Sequence, residues 1–156
     1  MSLQGSLTQK IEIKLYFREI KSANGFIKTV YLTDEEAKAK EEENKKKLAA
    51  GEKVEAKDEV LCLTTYWKQL NWAENNEITE KSTYFNQEAG YQDVSIYKYR
   101  DLRIKRCLIG WDLKDDNGRD IPFSEDAVDS LPPKAIVSLV GKYDDLTNVS
   151  DDDKKK

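Results

Sequence analysis

Residues 60–78, VLCLTTYWKQLNWAENNEI, contain the change of period on which the fold turns. In an extended chain Val60, Cys62 and Thr64 fall on one phase and Leu61, Leu63 and Thr65 on the other, so apolar side chains face both ways. A strand of that kind is covered on both faces and sits centrally in its sheet. Asn71 then precedes Trp72, with Glu74 three places on. In this capping-box spacing the asparagine oxygen and the glutamate carboxylate satisfy each other's free backbone N–H groups, which predicts a helix over 72–82. A central strand passing directly into a capped helix predicts an α+β fold.

Upstream, residues 10–20 (KIEIKLYFREI) alternate. Ile11, Ile13, Leu15 and Phe17 share one side, and Glu12, Lys14, Tyr16 and Arg18 the other. Period two predicts a half-buried strand. After SANG the β-branched and aromatic run FIKTVYLT resumes, predicting an antiparallel hairpin with Asn24 and Gly25 at positive φ in its turn. These two strands and residues 60–70 make a small antiparallel sheet of about three strands. Thr33 and Glu36 repeat the capping box. The sequence that follows, to Gly51, is rich in helix formers with Glu before Lys at helical spacing, but has almost no apolar face. Residues 34–58 thus read as a charged helical insertion, ending in a charged linker and mobile between strands.

Downstream, residues 83–93 (TYFNQEAGYQD) read as a loop. A longer helix is expected from Asp93 to about Asp112. Val94, Tyr97, Ile104, Leu108 and Trp111 would form one face and Tyr99, Leu102 and Ile109 a second, making this helix central and covered on two sides. Ser124, Glu125 and Asp126 open a short helix with acids at its positive end. Leu131-Pro132-Pro133 breaks it, and Pro133 suits the first position of a final helix with Ala135, Ile136, Leu139, Val140 and Tyr143 as its apolar stripe. The fold predicted is a single α+β domain over 11–145, between a flexible leader (1–10) and a charged tail (146–156).

Composition narrows the chemistry. The 156 residues are 38% hydrophobic and 36% charged, with a net charge of −4. Such a chain has no global attraction for nucleic acid or an anionic membrane surface. No run approaches the roughly 18 apolar residues of a membrane span, and residues 1–10 lack the apolar core of a secretory signal. Histidine is absent, and with it the commonest general base near neutral pH and the commonest metal ligand. Cys62 and Cys107 each lie in an apolar segment and read as buried small hydrophobes in a reducing cytoplasm, not as a disulfide.

The stretch 111–126, WDLKDDNGRDIPFSED, resembles a calcium loop, but its register fails. With Gly118 at loop position 6, Leu113 occupies position 1, Asp120 position 8 and Ser124 position 12, where a ligand, an apolar residue and Glu are required. It reads as a turn, with Asn117 and Gly118 left-handed and the aspartates accepting local backbone bonds. No phosphate loop, nucleophile elbow or metal spacing occurs, no carboxylate pair stands out, and no cofactor is implied. The basic run Lys98, Arg100, Arg103, Lys105 and Arg106, with Tyr97 and Tyr99, is the candidate nucleic-acid contact. Its charges do not form one helical face, and 30 acids are available to pair with them. Trp67, Trp72 and Trp111 stand at junctions between elements, as a shared aromatic core or as an interface anchor.

The pattern W-x-L-x-D-x-x-G-x-x-I-P, then an acidic helix, L-x-P and a terminal helix, is met by Trp111, Leu113, Asp115, Gly118, Ile121, Pro122, Leu131 and Pro133. Over residues 66–143 the chain resembles small proteins of the tail and virion module of tailed bacteriophages. That resemblance implies a non-enzymatic protein of the host cytoplasm during assembly or of the virion, either a minor structural component or a tail assembly chaperone. Its partners would be phage structural proteins such as tail-tube or tape-measure subunits, or further copies of itself. Trp67, Trp72, Trp111, Gly118, Pro122 and Pro133 are then the structural or interface candidates. A nucleic-acid-binding accessory using the basic run is the alternative.

Overall fold

The computed structural model describes residues 8–147. Residues 1–7 and 148–156, which carry most of the expected leader and tail, lie outside the described residues. The fold is α+β. Strand β1 (Ile11–Lys21), β2 (Ile27–Leu32), helix α1 (Asp34–Ala49), β3 (Leu61–Trp67), α2 (Trp72–Ser82), β4 (Thr83–Asn86), β5 (Tyr91–Val94), α3 (Ile96–Cys107), β6 (Leu108–Trp111), α4 (Glu125–Asp129) and α5 (Pro133–Thr147) follow in order. A four-stranded antiparallel sheet has the order β2-β1-β3-β6, and β4 and β5 form a separate two-stranded sheet. The central position expected for β3 is the one it holds.

The chain divides into two compact units, Lys14–Thr64 and the residues on either side of that segment. In the Lys14–Thr64 unit β1 pairs with β2 from Tyr16↔Leu32 to Lys21↔Ile27. Ser22 N–H donates to the Phe26 carbonyl across the turn. Gly25 alone takes the positive φ, 87°, while Asn24 keeps a negative one and accepts the Phe26 N–H. The Thr33–Glu36 capping box forms in both directions, and Ala37 is buried. The return from α1 is held where a free linker was expected. Asp58, at the end of a short 3₁₀ turn (Ala56–Asp58), bonds Lys40 at 2.9 Å and lies 3.7 Å from Arg18 and 4.0 Å from Lys47. Asn44 donates to the Asp58 carbonyl at 2.8 Å. A helix with almost no apolar face is thus fastened to its own strand pair and return by charge-assisted bonds.

In the second unit the buried side chains include Ile13, Trp67, Ile78, Ile104, Cys107, Leu108, Val128, Leu139 and Tyr143. Trp67 and Thr65 are both 0% exposed. The indole N–H donates to the Thr65 hydroxyl oxygen at 2.7 Å, and that hydroxyl donates to the Ile13 carbonyl at 2.7 Å. The indole stacks on Tyr143 with centroids 4.9 Å apart, and the Tyr143 hydroxyl donates to the Lys68 carbonyl at 2.9 Å. Burial is the main cause that holds the Tyr143 hydroxyl above the usual phenol range. Pro133 opens α5, whose buried face is Ala135, Leu139, Val140 and Tyr143, close to the expected stripe.

Four sequence expectations are corrected. The loop expected at 83–93 is the β4–β5 hairpin. The helix expected to run to Asp112 ends at Cys107, and Leu108–Trp111 form a fourth strand paired with β3 (Thr65↔Trp111, Tyr66↔Gly110, Trp67↔Leu108). Gly110 weakens a helix there, and the edge of β3 offers backbone partners instead. α3 is also not covered on two sides. Ile104 and Cys107 are its buried residues, while Tyr97 is 80% exposed. Finally, Cys62 is exposed, on the strand phase opposite Leu63, Thr65 and Trp67, and only Cys107 is buried; no disulfide joins them.

Two outcomes are expected. Replacing Trp67 by Ala should cost about 3–5 kcal/mol in urea unfolding, as for other buried Trp and Phe truncations. Thr65→Val, which leaves the buried indole N–H without its acceptor, should cost about 1–3 kcal/mol, and Thr65→Ser much less. Separately, hydrogen bonding to Lys40 is the largest cause holding the Asp58 carboxyl below its usual range. Its contribution is therefore complete above the unfolded value of about 3.9 and is lost as pH falls through the lower folded value. Amide-exchange protection in α1 should fall in that acid window, and Asp58→Asn should remove the protection at neutral pH.

Candidate interaction site

The β4–β5 hairpin follows from its own turn. Asn86 Oδ1 accepts the N–H groups of Glu88 and Ala89, Gly90 takes φ 74°, and its N–H donates to the Asn86 carbonyl. The four-residue connection 87–90 thereby sets the pairing Thr83↔Val94, Tyr84↔Asp93, Phe85↔Gln92 and Asn86↔Tyr91. At the base, Ser95 N–H donates to the Ser82 carbonyl at 2.8 Å, so α2 and α3 meet at the point where the hairpin leaves them. Arg106 reaches back along the helix pair to Glu77 at 2.9 Å.

Because side chains alternate along a strand, Tyr84 and Tyr91 share one face of the hairpin, and Phe85 and Val94 share the other. All four are exposed, by 47%, 58%, 57% and 48% respectively. The hairpin therefore presents aromatic surface on both faces. A two-stranded hairpin is marginal alone in water, and neither strand carries the Lys or Pro that usually protects exposed edges. Directly after it, Ile96 and Tyr97 are 55% and 80% exposed at the start of α3.

From Tyr97 a depression of about 330 Å³ runs over Ile104, Val128, Leu131 and Ile136. A second, of about 220 Å³, lies over Tyr99, Val140 and Gly141, and Arg100 and Val137 border both. Together they make one apolar groove between α3 and the α4–α5 segment. Arg103 is fixed at its edge, 2.7 Å from Asp144 and 5.3 Å over the Tyr143 ring. Lys105 bridges Asp101 and Asp129, both at 3.1 Å, and these two acids hold its ammonium above the usual range, Asp129 first.

The basic run is thus divided. Arg103, Lys105 and Arg106 face acids, while Lys98 is exposed and Arg100 half-buried, neither in an ion pair among the described residues. The tryptophans do not share one core. Trp67 is buried, and Trp72 is 80% exposed at the first position of α2. Trp111 is half-buried, with its indole N–H donating to the Ile121 carbonyl at 2.8 Å and its ring edge-on to Phe123 at 5.0 Å.

Trp111 ends β6, and its side chain holds the loop that follows. Ile121 N–H donates to the Leu113 carbonyl, Asp115 Oδ1 accepts from the N–H groups of Asn117 and Arg119, and Gly118 alone takes positive φ, 77°. Lys114 pairs with Asp120 at 2.6 Å. The stretch is a turn that closes on itself, though it leaves a strand and not a helix, and Asn117 keeps negative φ. Pro122 carries the chain on to α4, and Pro133 stands at the start of α5. Among the described residues no group of three or more His, Cys, Asp or Glu is placed to hold a metal ion, and no helix is long and apolar enough to cross a membrane.

Sequence reasoning missed the hairpin, although Gly90 within a short gap between two aromatic runs is the signal for one. The two exposure classes of tryptophan can be separated in solution. Trp72→Phe should remove most of the acrylamide-accessible emission and change unfolding free energy by no more than about 0.5 kcal/mol, as for an exposed substitution. Comparison of the chain with family models, curated proteins and solved structures returned no match.

Proposed function

We propose that the protein is a non-enzymatic structural or assembly protein of the tail and virion module of a tailed bacteriophage, acting through protein–protein contacts. The observation that carries the contact reading is the β4–β5 hairpin, with Tyr84 and Tyr91 exposed on one face and Phe85 and Val94 on the other. Aromatic side chains of this kind are the usual anchors of interfaces. The phage assignment draws support from the pattern of Trp111, Leu113, Asp115, Gly118, Ile121 and Pro122, of which the turn after β6 gives the first five a place. The partners are tail-tube or tape-measure subunits, met in the host cytoplasm during assembly, with retention in the finished particle as the structural variant of the same role. Pairing of Arg103, Lys105 and Arg106 with acids weighs against the basic run as a phosphate-binding stripe.

A density gradient of infected-cell lysate tests this reading. The protein should sediment with particles at constant copy number, or with soluble tail subunits. The double variant Tyr84→Ser/Phe85→Ser should shift at least about ten-fold more of it to the free fraction, the loss expected for removing an aromatic anchor. Sedimentation free of every tail component would overturn the proposal.

A further inference from the structure

We infer that Asn117 is a site of spontaneous modification, where the side-chain amide is lost by attack of the Gly118 backbone nitrogen, and that Asn24 is held back from the same reaction by its turn. This goes beyond the contact reading and does not rest on it.

The sequence contains two Asn-Gly pairs, Asn24-Gly25 and Asn117-Gly118. Both stand exposed in the same kind of turn, a type I turn closed by a left-handed glycine. In the first, Ser22 N–H donates to the Phe26 carbonyl at 2.8 Å and Gly25 N–H to the Ser22 carbonyl at 3.0 Å. In the second, Asp115 N–H donates to the Arg119 carbonyl at 2.9 Å and Gly118 N–H to the Asp115 carbonyl at 3.0 Å. Gly25 and Gly118 take φ 87° and 77°, and nothing lies within 4 Å of where a Cβ would stand on either. The attacking nitrogen, its hydrogen bond and its open surroundings are therefore alike in the two turns.

The carbon under attack is not. Asn24 Oδ1 accepts from the Phe26 N–H and from the Ser22 hydroxyl. Asp115 takes the place of Ser22 in the second turn, and its carboxylate accepts where the serine donates. Asp115 Oδ1 takes the N–H groups of Asn117 and Arg119 at 2.8 and 3.0 Å. Arg119 N–H is the counterpart of Phe26 N–H, so the donor that anchors Asn24 is already engaged. The Asn117 side chain forms no hydrogen bond among the described residues and is free to bring Cγ against the Gly118 nitrogen.

The reaction is an intramolecular acyl transfer. The Gly118 nitrogen bonds to Asn117 Cγ, the Cγ–Nδ2 bond breaks, and the nitrogen's proton passes through water to the departing ammonia. Water then opens the cyclic imide. Opening at the main-chain carbonyl leaves isoaspartate, with an extra methylene in the backbone, and opening at Cγ leaves aspartate. One water thus replaces one ammonia, with no oxidant or reductant. Either product adds a negative charge beside Asp115, Asp116 and Asp120. Breaking two hydrogen bonds before the attack slows Asn24 at least about ten-fold relative to Asn117.

Incubation of the full chain at mildly alkaline pH, followed by mass spectrometry of tryptic peptides, tests this. Trypsin separates the two sites, into residues 22–28 and 115–119. In the folded protein product should accumulate in 115–119 at least about ten-fold faster than in 22–28, and the two rates should converge in urea. Exchanging the first turn residue tests the cause. Asp115→Ser should slow the reaction at Asn117 and Ser22→Asp should speed it at Asn24, each at least about three-fold, with unchanged circular dichroism as the check on folding. Equal rates in the folded protein, faster loss at Asn24 or no product at Asn117 overturns the inference. So do exchanges that leave both rates unmoved, or a difference that persists in urea, which would belong to the neighbouring residues and not to the turns.

Discussion

The helical unit depends on one buried indole. Trp67 ends the central strand with its N–H directed inward, where an unmet donor is costly. The unit meets that donor with a two-step relay, from indole to Thr65 hydroxyl to the Ile13 carbonyl, which links neighbouring residues of β3 to the strand that precedes them by 52 positions. The ring itself becomes the floor on which Tyr143 lies, and Tyr143 in turn carries Arg103 and reaches the Lys68 carbonyl. Strand β3, helix α3 and helix α5 are thus located by one stack.

What was legible in the sequence was mostly punctuation. Both capping boxes, the Ser124 cap and the Leu131-Pro132-Pro133 break specify backbone hydrogen bonds within a few residues, and each stands where its spacing indicated. Period two in residues 11–17 was equally readable, because Ile13 and Leu15 are buried on one side. The failures occurred where a distant partner decided the outcome. Residues 108–111 have helical spacing with the apolar positions before them, and only the free edge of β3 draws them into a strand. The β4–β5 hairpin shows no apolar/polar alternation because neither of its faces is covered, so the signal that marks a half-buried strand had nothing to act on. For Trp72 the sequence leaves a shared core and an interface anchor both open for a related reason: composition cannot tell which side of a helix cap will meet the rest of the molecule.

The candidate site divides along the same line. The turn after β6 was recognisable as a turn because its bonds are local, from Asp115 to the amides of Asn117 and Arg119 and from Gly118 in its left-handed conformation. The pattern that suggested a phage module is therefore a pattern of turn construction, with Trp111 locking the returning chain through the Ile121 carbonyl. The groove was not recognisable. Its walls come from residues some 30 positions apart, and Arg100 stands out only after the acids beside its neighbours have been located in space. A run of five basic residues is uniform in one dimension; in three, three of its charges are matched and two have no ion-pair partner among the described residues.

The placement of the two cysteines divides the chain's sulfur chemistry. Cys107 is wholly buried beside Tyr143, and burial is the main cause holding its thiol above the usual range, so little thiolate forms there. Cys62 lies exposed on β3, with Thr64 beside it. One sulfur of the folded protein is therefore open to oxidants and alkylating reagents, while the other reacts only at the rate at which the helical layer opens. The thiol count of an intact sample is one, and the appearance of the second marks the loss of the native state.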